Sequence, residues 1–187
     1  MSALTSATRR LVSAASEAVA RRRDRPRRGP RMHTQSQRTA ARGSQYPGDF
    51  DGAAGAPFAA RVDDEAQPGE VVWAWVPYEE DHAKGKDRPV LVIGSDGPWL
   101  LALPMTSIDH DLDEDQERSQ GRYWIDVGSG GWDRRRRPSE ARLDRVVRIH
   151  PHSVRRPGAA VSRAVYEAVL DGMAAIREGR PYDDDPV

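Results

Sequence analysis

The run Gly69-Glu70-Val71-Val72-Trp73-Ala74-Trp75-Val76, ended by Pro77, decides the fold together with Arg88-Pro89-Val90-Leu91-Val92-Ile93. Apolar side chains fill both parities of the first run, the pattern of a strand buried on two faces. An eleven-residue polar connection, Pro77 to Asp87, leads to the second run. Ser95-Asp96-Gly97 then makes a tight turn, and Trp99-Leu100-Leu101-Ala102-Leu103 returns as a third strand. Two apolar strands joined by an Asp/Gly turn predict an antiparallel hairpin.

Outward from this hairpin, Arg122 to Val127 alternates with Tyr123, Ile125 and Val127 on one face, and Arg142 to Ile149 alternates with Leu143, Val147 and Ile149 inward. Between them, Gly128 to Pro138 is a loop. Pro151, Pro157 and Gly158 separate the sheet from a last helix, Ser162 to Glu178, whose Val165, Tyr166, Val169, Leu170, Met173 and Ile176 form one stripe. Gly179-Arg180-Pro181 stops it. Strands followed by one amphipathic helix predict a mainly β domain, a small curled sheet or barrel with the helix over an opening or edge. The β-α alternation of a parallel sheet is absent.

The formal net charge is zero, but it is unevenly spread. Residues 1–45 hold 11 Arg and no Lys against Glu17 and Asp24, a balance of +9 that the rest of the chain offsets with −9. The domains expected are therefore a basic, largely disordered tail and linker over 1–67, the folded body over 68–180, and an acidic C-terminal tail over 181–187. In the tail, Leu4, Leu11, Val12, Ala15 and Val19 recur at helical spacing before the arginines from Arg21 to Arg28. Three readings stay open for it: a solvated leader, a nucleic-acid or acidic-partner contact through counterion release, or a targeting or membrane-surface segment. From His33 to Gln67 the chain is too polar to repay ordering, with Tyr46-Pro47-Gly48-Asp49-Phe50 the patch expected to dock on the body. There is no cysteine, which excludes a disulfide framework, thiolate metal ligands and a cysteine nucleophile. No run approaches the length of a membrane-spanning helix.

No cofactor signature appears: no phosphate loop with its Lys, no dinucleotide fingerprint, no zinc-spaced histidine pair. Asp109, Asp111, Asp113 and Asp115 resemble a calcium loop, but Glu114 replaces the turn glycine and Gln120 the bidentate Glu, so no metal is expected. Two residues stand out by position. Arg88 opens a buried strand and Thr106 closes its neighbour, so a hairpin brings both to one end of the sheet. An arginine beside a hydroxyl can grip a phosphodiester through paired donors, though an Arg or Thr at a strand end is more often structural or solvated. Arg134, Arg135, Arg136 and Arg137 form a phosphate-attracting patch or a solvated charge run. Trp132 is placed either to stack on a base or to pack on the body. Glu79, Glu80, Asp81 and the acidic loop after Thr106 oppose a polyanion.

Gly69-Glu70-Val71-Val72-Trp73, the polar loop, Arg88-Pro89-Val90-Leu91-Val92, Pro104-Met105-Thr106-Ser107 and Ser139 to Val146 follow one another in an order that resembles the MazF/PemK family, toxins of type II toxin–antitoxin modules. The resemblance spans roughly residues 68–178; Tyr46 to Phe50 and Trp75 to Asp81 suggest a PemK-like subgroup with an N-terminal extension. It implies an SH3-like barrel closed by the C-terminal helix, a homodimer, and a cytoplasmic endoribonuclease that cuts single-stranded RNA without metal or cofactor. The cut would leave a 2′,3′-cyclic phosphate and a 5′-hydroxyl. By the same resemblance Arg88 and Thr106 are the catalytic pair. His82 in the connecting loop is a candidate for proton transfer, its ordinary pKa lying near neutrality. Lys84 and Lys86 join Trp132 and Arg134 to Arg137 as expected nucleic-acid contacts. An antitoxin is the implied partner, with DNA contact through the antitoxin complex or the basic tail. The alternative is a non-catalytic module of the same fold that binds nucleic acid or protein.

Overall fold

The computed structural model describes residues 46–61, 65–108 and 114–187. Residues 1–45 with the expected helix, residues 62–64, and Asp109 to Asp113 of the acidic stretch lie outside the described residues. Among those described, seven strands form one antiparallel sheet with the order β4-β5-β3-β2-β1-β7, and β6 pairs with β3 beside this path. The core is the meander β1 (Glu70–Pro77), β2 (Gly85–Asp96) and β3 (Trp99–Thr106). Register runs from Val71↔Leu91 to Pro77↔Gly85 and from Val90↔Pro104 to Asp96↔Trp99. Gly97, with φ 57°, takes the left-handed conformation that closes the β2–β3 hairpin.

The sheet curls because β3 changes partners along its length. Leu100–Ala102 pair with β6 (Val147–Ile149), whereas Met105 and Thr106 pair with β5 (Glu140–Arg142). β4 (Trp124–Asp126) extends one edge and β7 (Arg155–Ala160) the other. No ladder joins β4 to β7 among the described residues, so the barrel-like sheet is not closed by hydrogen bonds. Apolar clusters occupy both faces. Val72, Ala74, Val76, Val90, Val92, Ala102, Val147 and Ile149 form one. Val71, Leu91, Ile93, Leu103 and Met105 form the other, under the C-terminal helix.

Two α-helices are present among the described residues, α1 (Glu114–Ser119) and α2 (Arg163–Glu178). The expected stripe is the buried face of α2, with Val165, Tyr166, Val169 and Met173 in the core. Ser162 caps its start by accepting from the Val165 amide at 3.2 Å, and Gly179, with φ 68°, caps its end.

Four local features differ from the sequence expectation. Pro77 lies within β1 and β2 starts at Gly85, so part of the polar connection is strand. Gly85 is required there: a Cβ would stand 2.4 Å from the Val76 carbonyl oxygen. The expected strand Arg142–Ile149 is two strands, split between β5 and β6 where β3 bends. The acidic stretch contains α1 rather than loop throughout. Arg155–Ala160 is a strand despite Pro157 and Gly158, which an edge position tolerates.

The flanking segments are also more engaged than their composition suggests. Phe50 bridges to Val146, the Ala56 amide donates to the Ile93 carbonyl at 2.8 Å, and the Ala59 amide to that of Pro68 at 3.0 Å. Docking thus extends from the expected Tyr46–Phe50 patch to at least Ala59. In the acidic C-terminal segment, the Tyr182 hydroxyl donates to the Trp124 carbonyl at 2.8 Å, and the Asp184 carbonyl accepts from the Asp126 amide at 2.7 Å.

Candidate nucleic-acid interface

Arg88 sits on β2 opposite Ala74 of β1. Continuing the β2–β3 register two residues beyond Val90↔Pro104 places it across from Thr106, and both line one cleft of about 310 Å³. Sharing a strand-pair face follows from that register, since opposite residues point the same way.

The electrostatics of Arg88 are unusual. Its Nε is buried without a hydrogen-bond partner, and among the described residues no carboxylate pairs with it. Burial holds its pKa below the ordinary guanidinium value; Tyr78 opposes this, and the cations of Arg145 and Arg142 push it further down. Those two neighbours are themselves neutralised. Arg142 binds Asp144 at 2.6 Å and Glu79, and Arg145 binds Asp49 at 2.7 Å and donates to the Pro77 carbonyl at 2.8 Å. A half-buried cation left unpaired among paired ones has the chemistry to receive an anion, which would supply the missing acceptor.

Thr106 ends β3, opposite the buried Glu140 of β5. Its Oγ1 accepts from the Ile108 amide at 3.1 Å, which fixes the oxygen and leaves its proton to donate.

The loop between β4 and β5 forms the next wall. Trp132 is only 4% exposed; its Nε1 donates to Ser139 Oγ at 3.2 Å and its carbonyl accepts from Trp73 Nε1 at 2.8 Å. Of the two expectations for Trp132, this geometry matches packing on the body, and the side chain floors the cleft. Asp133 organises the arginines that follow. It accepts from the amides of Arg135 and Arg137, each at 3.2 Å, and from Arg137 Nε at 2.7 Å. The Arg137 hydrogen bond is the main reason its carboxyl pKa falls to about 2. Arg134 to Arg137 are all exposed, and Arg136 takes the left-handed region at φ 51°.

A second lobe, of about 560 Å³, continues the cleft past Trp73 to Arg134, Arg135, Arg155 and Arg156. The lobes share Trp73, Trp132, Asp133 and Arg137. Trp73 is half-buried and Arg155 lies over its ring, 5.9 Å from the centroid. Arg155 binds Asp87 at 2.6 Å and Arg156 binds Glu70 at 2.7 Å. The result is a cationic channel with the Trp73 indole beside it, the buried Trp132 beneath it and an unpaired guanidinium at its end.

The remaining expected residues divide. Lys86 lines the cleft with Arg88. Lys84 stands outside its lining and pairs with Asp81 at 2.9 Å, which is the main cause of that carboxyl's lowered pKa. His82 also lies outside the lining, meeting the Tyr46 ring edge-on at 5.0 Å. The acidic residues expected to repel a polyanion are partly spent, Glu79 on Arg142 and Asp81 on Lys84. Trp73, Arg155 and Arg156 were not singled out by sequence. Trp73 is one of several apolar residues in a strand apolar on both faces, and the two arginines sit in a Pro/Gly-rich segment. Among the described residues no three His, Cys, Asp or Glu side chains gather as a metal site, and no helix is long and apolar enough to cross a membrane.

A family model described as "PemK-like, MazF-like toxin of type II toxin-antitoxin system" matches residues 67–176. A comparison with curated proteins gives no match.

Proposed function

From the premise that this chain belongs to the PemK-like, MazF-like toxin family of type II toxin–antitoxin systems, we propose that it is a metal-independent endoribonuclease cutting single-stranded RNA. Family membership itself implies an antitoxin partner. The observation that carries the proposal is the half-buried Arg88 guanidinium, with no carboxylate partner among the described residues, sharing a cleft with the Thr106 hydroxyl.

In this reading the RNA backbone follows the arginines of the β4–β5 loop, and the scissile phosphate settles between Arg88 and Thr106. The substrate's own 2′-oxygen attacks phosphorus, losing its proton to water, and the 5′-oxygen leaves and takes one up from water. The products are a 2′,3′-cyclic phosphate and a 5′-hydroxyl. Charge builds on the non-bridging oxygens as the fifth bond forms, and that is where Arg88 donates. A fixed cation in a partly dry site stabilises such charge without first reorganising solvent. Thr106 contributes a hydrogen bond that orients the phosphate, with its oxygen held by the Ile108 amide. Arg88 stays protonated despite its lowered pKa, so its part is electrostatic. The homodimer, the cytoplasmic setting and contact with DNA through the antitoxin complex or the basic tail belong to the same proposal.

The test incubates the purified chain and Arg88→Ala with mixed-sequence single-stranded RNA in EDTA and maps the ends. Discrete cuts with cyclic phosphate ends, lost in the variant, are expected. Intact RNA with both folded proteins would turn the reading toward a non-catalytic binding module.

A further inference from the structure

A second cleft, of about 280 Å³, shares no lining residue with the Arg88 groove. It opens among Tyr46, Trp75, Trp99, Arg148, His150 and His152. The segment ahead of β1 supplies Tyr46, β1 and β3 one tryptophan each, and the 3-10 turn Pro151–Ser153 with its cap supplies the imidazoles. Rings dominate the wall. Trp99 meets His150 edge-on at 5.6 Å and 90°, and His152 lies 5.3 Å from His150 at a 41° tilt. Trp75 and Trp99 are both half-exposed.

The chemistry of the lining narrows what fits. Arg148 contributes no free charge: its Nε binds Asp96 at 2.8 Å, and Nη1 donates to the carbonyls of Gly48 and Asp49 at 3.0 and 2.8 Å. An anion therefore finds no unpaired guanidinium there, and a cation finds no carboxylate in the lining. His150 Nδ1 already accepts from the His152 amide at 3.3 Å, so a saturated ligand would cover the indoles but leave His150 Nε2 and the His152 ring without partners. A flat heterocycle meets both demands, with its faces on the indoles and its edge toward the imidazoles.

We propose that this cleft stacks an unpaired nucleobase, giving single-stranded RNA an uncharged foothold separate from the Arg88–Thr106 groove. The proposal rests on the reading of the chain as an RNA-handling protein. Stacking is sequence-tolerant because every base has a π face, so this site adds affinity and footprint rather than a strict sequence code.

The test uses the full chain carrying Arg88→Ala, to spare the RNA, and a fluorescein-labelled mixed-sequence 12-mer in EDTA. Adding Trp99→Ala is expected to weaken binding about 10-fold or more. The salt dependence should be unchanged, because stacking releases no counterions. His152 is exposed, so His152→Ala serves as a second variant that leaves the fold intact, with a smaller loss expected. If both variants bind like the parent while Arg134→Ala/Arg135→Ala weakens binding, the nucleobase site is overturned and the RNA reading stands. If the parent binds no RNA, titration with adenosine against tryptophan fluorescence separates the two. Quenching lost in Trp99→Ala supports the base site and leaves the RNA reading to the cleavage assay on the chain with Arg88 intact, whereas no quenching overturns the base site. A dimer turned monomer by Trp99→Ala would overturn the proposal by assigning the cleft to a contact between two copies of the chain.

Discussion

Trp73 Nε1 donates to the main-chain carbonyl of Trp132 at 2.8 Å, tying β1 to the loop that carries the four consecutive arginines. The bond joins residues 59 positions apart and closes the wall shared by both lobes of the cationic cleft. Trp73→Phe keeps most of the ring but removes the donor. Urea denaturation is expected to show a loss of about 1 kcal/mol, the usual net value of one hydrogen bond. RNA affinity should fall as well, since the loop is freed and the ring under Arg155 is smaller. Unchanged affinity alongside the stability loss would detach Trp73 from the interface.

Arg88 bears on stability in the opposite sense. Its guanidinium is desolvated, its Nε has no acceptor, and Arg142 and Arg145 repel it. Removing such a group relieves cost rather than losing contacts. Arg88→Met, similar in length and uncharged, is expected to leave the thermal midpoint unchanged or higher while cleavage drops by about 100-fold or more. Thermal unfolding of both proteins at one pH checks this. A midpoint lowered by several degrees would mark Arg88 as a structural residue.

Much of this fold was legible in the chain, and the illegible parts share one cause. The β2–β3 hairpin was readable because two apolar runs flank a turn needing Gly97, and α2 because its stripe is bracketed by Ser162 and Gly179. The break at Leu143–Val146 was not. Alternation passes straight through it, and the strand divides only because β3 pairs with β5 at one end and β6 at the other. The site behaves likewise. Arg88 and Thr106 could be placed together because one hairpin carries both. Trp73, Arg155 and Arg156 could not, because their neighbourhood arises from elements distant in sequence. Trp132 had two readings, and only the position of Ser139 and Trp73 around it distinguishes them.

Tyr166 gives the molecule an alkaline limit. Its buried hydroxyl donates to the Ala56 carbonyl at 2.7 Å, pinning the segment before β1 to α2, and burial raises its pKa from 10.0 to about 12. A pKa higher in the folded state means that this contribution is complete below pH 10 and is lost as pH climbs through about 12. The shift corresponds to roughly 2 to 3 kcal/mol of stability withdrawn across that window. Tyr166→Phe should cost about 1–2 kcal/mol at neutral pH and flatten the decline above pH 10. Denaturant midpoints of both proteins from pH 8 to 12 supply the comparison, and parallel curves would show that Tyr166 does not set the limit.

The acidic C-terminal segment makes an opposite case to that of a free tail. Asp184 offers its carbonyl to the Asp126 amide, Tyr182 its hydroxyl to the Trp124 carbonyl, and Arg118 holds the Asp184 carboxylate at 2.8 Å. Val187, though largely exposed, lies over Gly128 at the start of the arginine loop, and the Tyr182 ring lies against Gly172 of α2. Cutting the chain after Arg180 strips these contacts from β4 and returns its edge groups to water. The two hydrogen bonds and the partial burial of the tyrosine ring together are worth about 2–4 kcal/mol. Truncation is therefore expected to lower the urea midpoint clearly and to speed amide exchange at Asp126, where a solvated tail would leave both alone. Removing Asp183, Asp184 and Asp185 also takes three negative charges from the β4 end of the sheet. At low salt the truncated chain should then bind RNA more tightly, even though it is less stable, and the gain should shrink as salt is raised. Affinity that rises equally at all salt concentrations would point to steric release of the cleft instead of charge.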